Sequence, residues 1–170
     1  PLTIIRPTAV YGPGEKDLFI LFQTLSKGID TYIGTEPQLL SFVYVKDLVA
    51  ATIKGMLADV EGHKAYNISD GKAYNRYALA DEFKNHFPRK MIRFHLPYFV
   101  VSAIARLLDV LYKFSDRTPV LNLEKLNELT ASNWNCSIDK AKQEIHYSPK
   151  YDLGNGLFET VKWYKENKWI

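Results

Sequence analysis

The 170-residue chain carries 22 Lys and Arg against 19 Asp and Glu, a net charge of +3. That length allows one domain with a real core, and 46% hydrophobic with 24% charged residues excludes a disordered chain. So small and evenly spread a charge argues against a nucleic-acid partner, and the single Cys136 excludes an internal disulfide and fits a reducing, cytoplasmic setting.

No cationic region followed by an apolar stretch opens the chain, so no signal peptide is expected, and Pro1-Leu2-Thr3 reads as a start inside a longer protein. The apolar run at residues 2–5 predicts a strand that breaks into Arg-Pro-Thr and then Tyr-Gly-Pro-Gly. Residues 17–27 predict a helix with Leu18, Leu21, Phe22 and Leu25 on one face, stopped by Gly28. Short strands are expected near residues 31–33 and 41–45, with the loop GTEPQLL between them. A second amphipathic helix is expected over residues 46–57, its apolar face made by Leu48, Val49, Ile53, Met56 and Leu57. Asp47 sits in its first turn, where a carboxylate favours the helix dipole.

Residues 65–69 read as a strand, Asp70-Gly71 as a turn, and Asn75 as the cap of a helix running to His86. A strand at 91–94 precedes the most apolar segment, LPYFVVSAIARLLDVLY, which Arg106 and Asp109 interrupt too often for a bilayer span. Another short helix is expected over 119–129. Ser137 is expected to cap residues 138–145, and Asp152 to cap the last helix. Leu153, Leu157, Phe158, Val161, Trp163 and Tyr164 should form that helix's buried side. Alternating strands and helices define an α/β chain, with too few long strands for a complete doubly wound domain.

Several chemical motifs fail on context. Tyr164 and Lys168 have Tyr-x-x-x-Lys spacing but fall on a polar last turn, expected to be a solvated face. The four histidines lack metal-ligand spacing. No nucleophile elbow or glycine-rich phosphate cradle occurs. No catalytic residue and no metal site is therefore assigned within the chain.

Four ordered landmarks stand out: RPTAVYGPG (residues 6–14), SFVYVKDLVAA (41–51), YNISDG (66–71) and the long stretch from Asn133 to Tyr164. In this order they resemble the C-terminal half of an extended short-chain dehydrogenase/reductase, the NAD-dependent epimerase/dehydratase superfamily. The look is closest to the 3-beta-hydroxysteroid dehydrogenase-like branch, and the likeness runs from about residue 4 to residue 164.

That resemblance implies the C-terminal part of a Rossmann-type fold with a small, largely helical substrate-binding domain, residues 1–170 belonging to that region as a whole. The dinucleotide-binding part, with its glycine turn and Tyr-x-x-x-Lys pair, would lie outside this sequence, leaving the chain inactive by itself. NAD or NADP is the implied cofactor of the full-length protein. The intact enzyme would move hydride between a substrate carbon and C4 of the nicotinamide, with the Tyr as acid/base and the Lys lowering its pKa.

By the same resemblance Pro7, Thr8 and Val10 border the nicotinamide, while Tyr11, Phe42 and Tyr44 bear on the substrate. Equally open is that Arg6-Pro7 and Gly12-Pro13 only terminate a strand. The partner implied is a small-molecule substrate; no transmembrane segment is expected, and homo-oligomerisation is compatible with the family. Nucleotide-sugar members place an Arg just before the SFVYV-like strand, where Leu39 and Leu40 stand here. The expectation is therefore a lipophilic alcohol or carbonyl substrate, with residues 96–112 either covering the pocket or only filling the core. A nucleotide-sugar epimerase/dehydratase is the alternative. So is a non-catalytic ligand-binding or assembly protein of the same fold, or a self-sufficient small α/β domain with no exposed apolar sheet edge.

Overall fold

The computed structural model describes residues 1–112, 119 and 121–170. The first elements are β1 (Leu2–Pro7), β2 (Ala9–Tyr11), α1 (Phe19–Ser26), β3 (Ile29–Ile33), β4 (Leu39–Leu40), β5 (Phe42–Tyr44) and α2 (Val45–Leu57). Then follow β6 (His63–Ile68), β7 (Tyr74–Asn75), α3 (Ala78–His86), β8 (Ile92–Leu96), α4 (Tyr98–Tyr112), α5 (Leu123–Thr130), α6 (Asp139–Glu144) and α7 (Leu153–Glu166). Most of this order is the expected one. The 34–40 loop differs in holding β4, and the helix expected over 119–129 starts later, at Leu123, where Asn122 Oδ1 accepts from Lys125 N at 2.6 Å. Val120 of that stretch lies outside the described residues.

Among the described residues the strands form two-stranded pairs. β1–β6, β2–β5 and β3–β8 are parallel and β4–β7 is antiparallel. A parallel pair needs a long crossover. For β1 and β6 that crossover includes α2, which can lie close because Gly55 has no side chain: a Cβ there would sit 3.1 Å from Ile5 and 3.2 Å from Thr3. Leu2 and Ile4 remain exposed on β1, as on a strand whose sheet is expected to continue. This exposed apolar edge counts against the self-sufficient domain.

Among the described residues three hydrophobic cores are present. The largest joins α1, α3 and α7 to β2 and β5 through Phe22, Phe83, Leu157 and Tyr164. A second packs α2, β6 and α6 around Tyr66, Ile68 and Ile138, and a third joins α4 to α5 through Val101, Ala105 and Leu126.

Several expectations are corrected by this packing. On α2 the buried residues are Asp47, Ala51 and Gly55, while Ile53, Met56 and Leu57 face outward. The helix is turned about its axis because only the small residues allow the close approach to β1. On α7 Phe158 is exposed and packs edge-on against His86, since the buried stripe runs Leu153, Leu157, Val161, Tyr164. Tyr164 is no solvated residue: it is fully buried, its ring stacks on Trp169, and its hydroxyl donates to Glu15 O at 3.1 Å. Lys168 lies beyond the end of α7, so the two do not share a helical face. Asn75 and Ser137 accept from the backbone N–H two residues on, making turns before α3 and α6 rather than caps.

Asp152 does cap α7, its Oδ1 accepting from Asn155 N at 3.0 Å. That N–H, and Lys72 beside it, hold the carboxyl below the usual carboxylate range. A lowered value means the stabilisation is complete above the unfolded-state pKa near ~4 and is lost as pH falls through the folded value. Asp152→Ala is expected to lower stability by about 1 kcal/mol at neutral pH. Urea unfolding at pH 7 and near ~3 should show the gap from the parent shrinking on acidification.

Candidate functional site

The end of β1, the start of β2, and the segments 38–42 and 133–136 enclose a cleft of about 670 Å³, with α1, α3 and α5 closing its sides. Its walls are mainly apolar: Leu18, Leu21, Leu40, Phe42, Leu79 and Leu129. Such a lining favours a ligand with substantial apolar surface.

Local bonding fixes the polar rim. Leu39 is held on one side by β7 and on the other by residues 132–134, with Leu39 N donating to Ser132 O (2.9 Å) and Trp134 N to Leu39 O (2.7 Å). The buried Gln38 amide donates to the carbonyls of Leu129 and Ala131, both at 2.9 Å, fastening the end of α5. Ser41 Oγ bonds Asn135 Oδ1 at 3.2 Å. Thr8 ties the β1–β2 corner to β6, its N donating to Ile68 O at 3.0 Å and its hydroxyl to the same oxygen at 3.3 Å.

Two cleft residues bear on chemistry. Arg76 is buried, and its guanidinium donates to Glu36 O (2.5 Å) and Ile33 O (2.7 Å) and lies near the rings of Tyr32 and Tyr77. Cys136 is half-buried, and burial pushes its thiol pKa up. Among the described residues no group of three His, Cys, Asp or Glu gathers as metal ligands do.

Outside the cleft lining, several tyrosines bond to partly buried acceptors. Tyr74 donates to Asp70 at 2.5 Å, and burial raises the Asp70 carboxyl pKa against the pull of that hydroxyl. Tyr11 donates to Asp152 O at 3.1 Å, and Tyr44 to Glu159 at 2.7 Å. The Lys46 ammonium beside Glu159, followed by the Tyr44 hydroxyl, holds that carboxyl below its usual range.

Of the residues singled out from the sequence, the cleft brings together Pro7, Thr8 and Phe42. Val10 packs against the second core, and Tyr11 and Tyr44 are buried in the first, so none of these three lines the cleft. Strand β5 is covered on both faces, Phe42 and Tyr44 by one core and Val43 by the other. Residues 96–112, expected to cover the pocket or fill the core, do neither for the most part: α5 borders the cleft, and α4 leaves much of its apolar surface exposed. Sequence reasoning assigned no role to Gln38, Arg76, Trp134 or Asn135. The NWNCS landmark was the one signal that could have found the last two.

No family model matches the chain. It is 26% identical over 167 residues to the N-acetyl-alpha-D-glucosaminyl-diphospho-ditrans,octacis-undecaprenol 4-epimerase of Escherichia coli O157:H7, covering 95% of this chain and 49% of that protein. It is 22% identical over 167 residues to the ceramide reductase of Caulobacter vibrioides, covering 98% of this chain and 52% of that protein. Further relatives include 3-beta-hydroxysteroid dehydrogenases. The solved structure of MoeE5 in complex with UDP-glucuronic acid and NAD superposes with a TM-score of 0.71 at 17% identity, over 97% of this chain and 47% of that one.

The fold is that of the C-terminal half of an extended short-chain dehydrogenase/reductase. Its relatives are epimerases and 3-beta-hydroxysteroid dehydrogenase-like enzymes, and the chain spans about half the length of the curated relatives it matches. No helix among the described residues is long and apolar enough to cross a membrane.

Proposed function

We propose that residues 1–170 form the substrate-binding region of an NAD(P)-dependent extended short-chain dehydrogenase acting on a lipophilic alcohol or carbonyl compound. The observation that carries this reading is the apolar cleft wall, with Leu40 in it where a diphosphate-binding Arg would be expected nearby. Relatives named for ceramide and steroid substrates support it; the undecaprenol-linked relative is named for a lipid that also carries a sugar diphosphate. The residues present suit the nicotinamide end of a dinucleotide: exposed Pro7 offers an apolar edge at the rim, Thr8 a hydroxyl, and Val10 supports the strand behind them. They do not suit the pyrophosphate, because no Gly-x-x-Gly-x-x-Gly turn occurs in the sequence. That turn and the Tyr/Lys pair belong, in this reading, to the other half of a protein as long as its relatives. The cofactor supplies or accepts the hydride. The chain's own contribution is to hold the substrate against that rim, with Phe42 in the wall and Tyr11 and Tyr44 bracing it from behind. A cytoplasmic setting and a homo-oligomer complete the proposal.

A nucleotide-sugar substrate is the second reading, favoured by Arg6, Arg76 and Lys125 in the lining. Lys125 is already paired with Glu128 at 2.9 Å, and Arg76 is occupied by two carbonyls, which weighs against it. Cofactor-coupled turnover by the intact protein decides between them. Sterol and long-chain carbonyl substrates should be turned over in preference to UDP- or dTDP-sugars. Turnover of nucleotide sugars alone would overturn the lipophilic assignment, and no turnover on either panel would favour the non-catalytic protein of the same fold.

A further inference from the structure

One wall of the cleft is held by a residue outside it. Tyr32 of β3, Arg76 of the link between β7 and α3, and Leu79 and Ala80 of α3 line the cleft, whereas Arg93 of β8 does not. Arg93 nevertheless joins the elements that carry this lining. Its Nε donates to Asp30 Oδ2 on β3 and its Nη2 to Asp81 Oδ1 on α3, both at 2.6 Å. Its guanidinium also lies 4.4 Å from the centre of the Tyr77 ring and 5.5 Å from that of Tyr32.

The two carboxylates do different work. Asp30 is 2% exposed, so its charge needs a cation, and among the described residues Arg93 is the one that pairs with it. Asp81 is exposed, and a pair of that kind adds little stability. What it adds is direction, because a planar fork tied at two points can neither turn nor slide. Arg76 lies against the same two rings, 5.3 Å from Tyr32 and 5.8 Å from Tyr77. Two guanidinium groups so placed repel each other, and the carboxylates on Arg93 offset that repulsion. The rings of Tyr32 and Tyr77 meet edge-on at 4.8 Å, so neither can shift without the other. Arg76 in turn fixes the carbonyls of Ile33 and Glu36, just ahead of Gln38 and Leu40 in the cleft wall. An unbroken series of contacts therefore runs from Arg93 to the lining.

We propose that Arg93 is a positioning residue for the cleft, setting the place of Tyr32 and, through the paired rings, of Arg76. The inference rests on the cleft being where the substrate binds, and not on which class of substrate it takes. Arg93 is not part of the lining, so its loss should appear in KM rather than in kcat.

The test is steady-state turnover by the intact protein with NAD or NADP, with pregnenolone and UDP-glucuronic acid as the two probes, beside melting temperature. Arg93→Lys keeps the charge that Asp30 needs and loses the fork and the planar face. It is expected to raise KM for the accepted probe roughly five-fold, with kcat, cofactor KM and melting temperature near the parent's. Asp30→Asn/Arg93→Gln removes the buried charge together with its partner. It should melt near the parent and still show the raised KM, whereas Arg93→Gln alone strands Asp30 and should melt lower. A parent-like KM in both Arg93→Lys and the double variant reduces the ion pair to a structural tie and overturns the proposal. A fall in kcat at unchanged KM overturns it as well. Turnover of UDP-glucuronic acid alone overturns the lipophilic reading, and a raised KM for that probe still supports the positioning role. A second readout needs no substrate: 3-fluorotyrosine placed at position 32 should give one narrow fluorine resonance in the parent and several or a broadened one in Arg93→Lys. A resonance as narrow in Arg93→Lys as in the parent overturns the proposal whatever the substrate is.

Discussion

Gly156→Ala is expected to destabilise the chain by about 3 kcal/mol or more. In the middle of a helix such a change ordinarily stabilises by up to about 1 kcal/mol. Here the sign reverses, because the new Cβ would sit 2.2 Å from Tyr11 Oη and 2.8 Å from two ring carbons of the same residue. The ring cannot retreat. It is 1% exposed, set edge-on to Phe42 at 6.3 Å and against Tyr44 at 5.5 Å, and its hydroxyl is bonded to Asp152 O. Overpacking typically destabilises by ~1–3 kcal/mol, and an overlap with a rigid buried ring belongs at or beyond the top of that range. Against a total near 5–15 kcal/mol the loss is severe. Urea unfolding measures it, with Gly154→Ala as the control, since a Cβ there meets nothing nearer than the Glu82 side chain at 3.4 Å, with Asp152 Oδ1 at 3.8 Å. Adding Tyr11→Phe removes the nearest atom and should restore part of the loss. A Gly156→Ala protein as stable as the parent would refute the packing described.

Asp47→Ala is expected to cost about 2–4 kcal/mol, well above the few tenths typical of a first-turn acid. The carboxylate is 2% exposed, and both of its oxygens accept from Lys150 N at 3.0 Å, with one of them also accepting from Tyr151 N at 2.9 Å. Removing it strands two backbone donors that the fold has withdrawn from water. Asp47→Asn, which keeps one acceptor oxygen, should fall between. Proteolysis should cut near residues 148–151 faster in Asp47→Ala than in the parent, because the segment leading into α7 loses its anchor. Unchanged stability and an unchanged cleavage pattern would return Asp47 to a helix-dipole role.

These two residues also show where reading along the chain stops. Asp47 was legible as a helix-start acid because that role is local. Its bonds to Lys150 and Tyr151 span more than a hundred positions, and no periodicity encodes them. The same division runs through the cleft. Pro7, Thr8 and Phe42 lie at a strand end and beside a break, where local chemistry marks them. Arg76, Gln38 and Trp134 reach the cleft only because β4 is clamped between β7 and residues 132–134.

By itself the sequence determined the α/β alternation, most element positions, the Asp152 cap and the likeness to the C-terminal half of an extended short-chain dehydrogenase. All of these follow from short-range propensity, hydrophobic spacing and the order of local motifs. Only the tertiary structure decided which side of each apolar helix is buried. On α2 the small residues Ala51 and Gly55 win over Ile53, Met56 and Leu57, because close packing on β1 needs the absence of a side chain. On α4 Ala105 and Val101 face inward against Leu126 of α5, and the larger residues face outward. Hydrophobicity states that a face wants covering. Which face the rest of the molecule can reach is a matter of shape, and shape is set by residues far away in the chain.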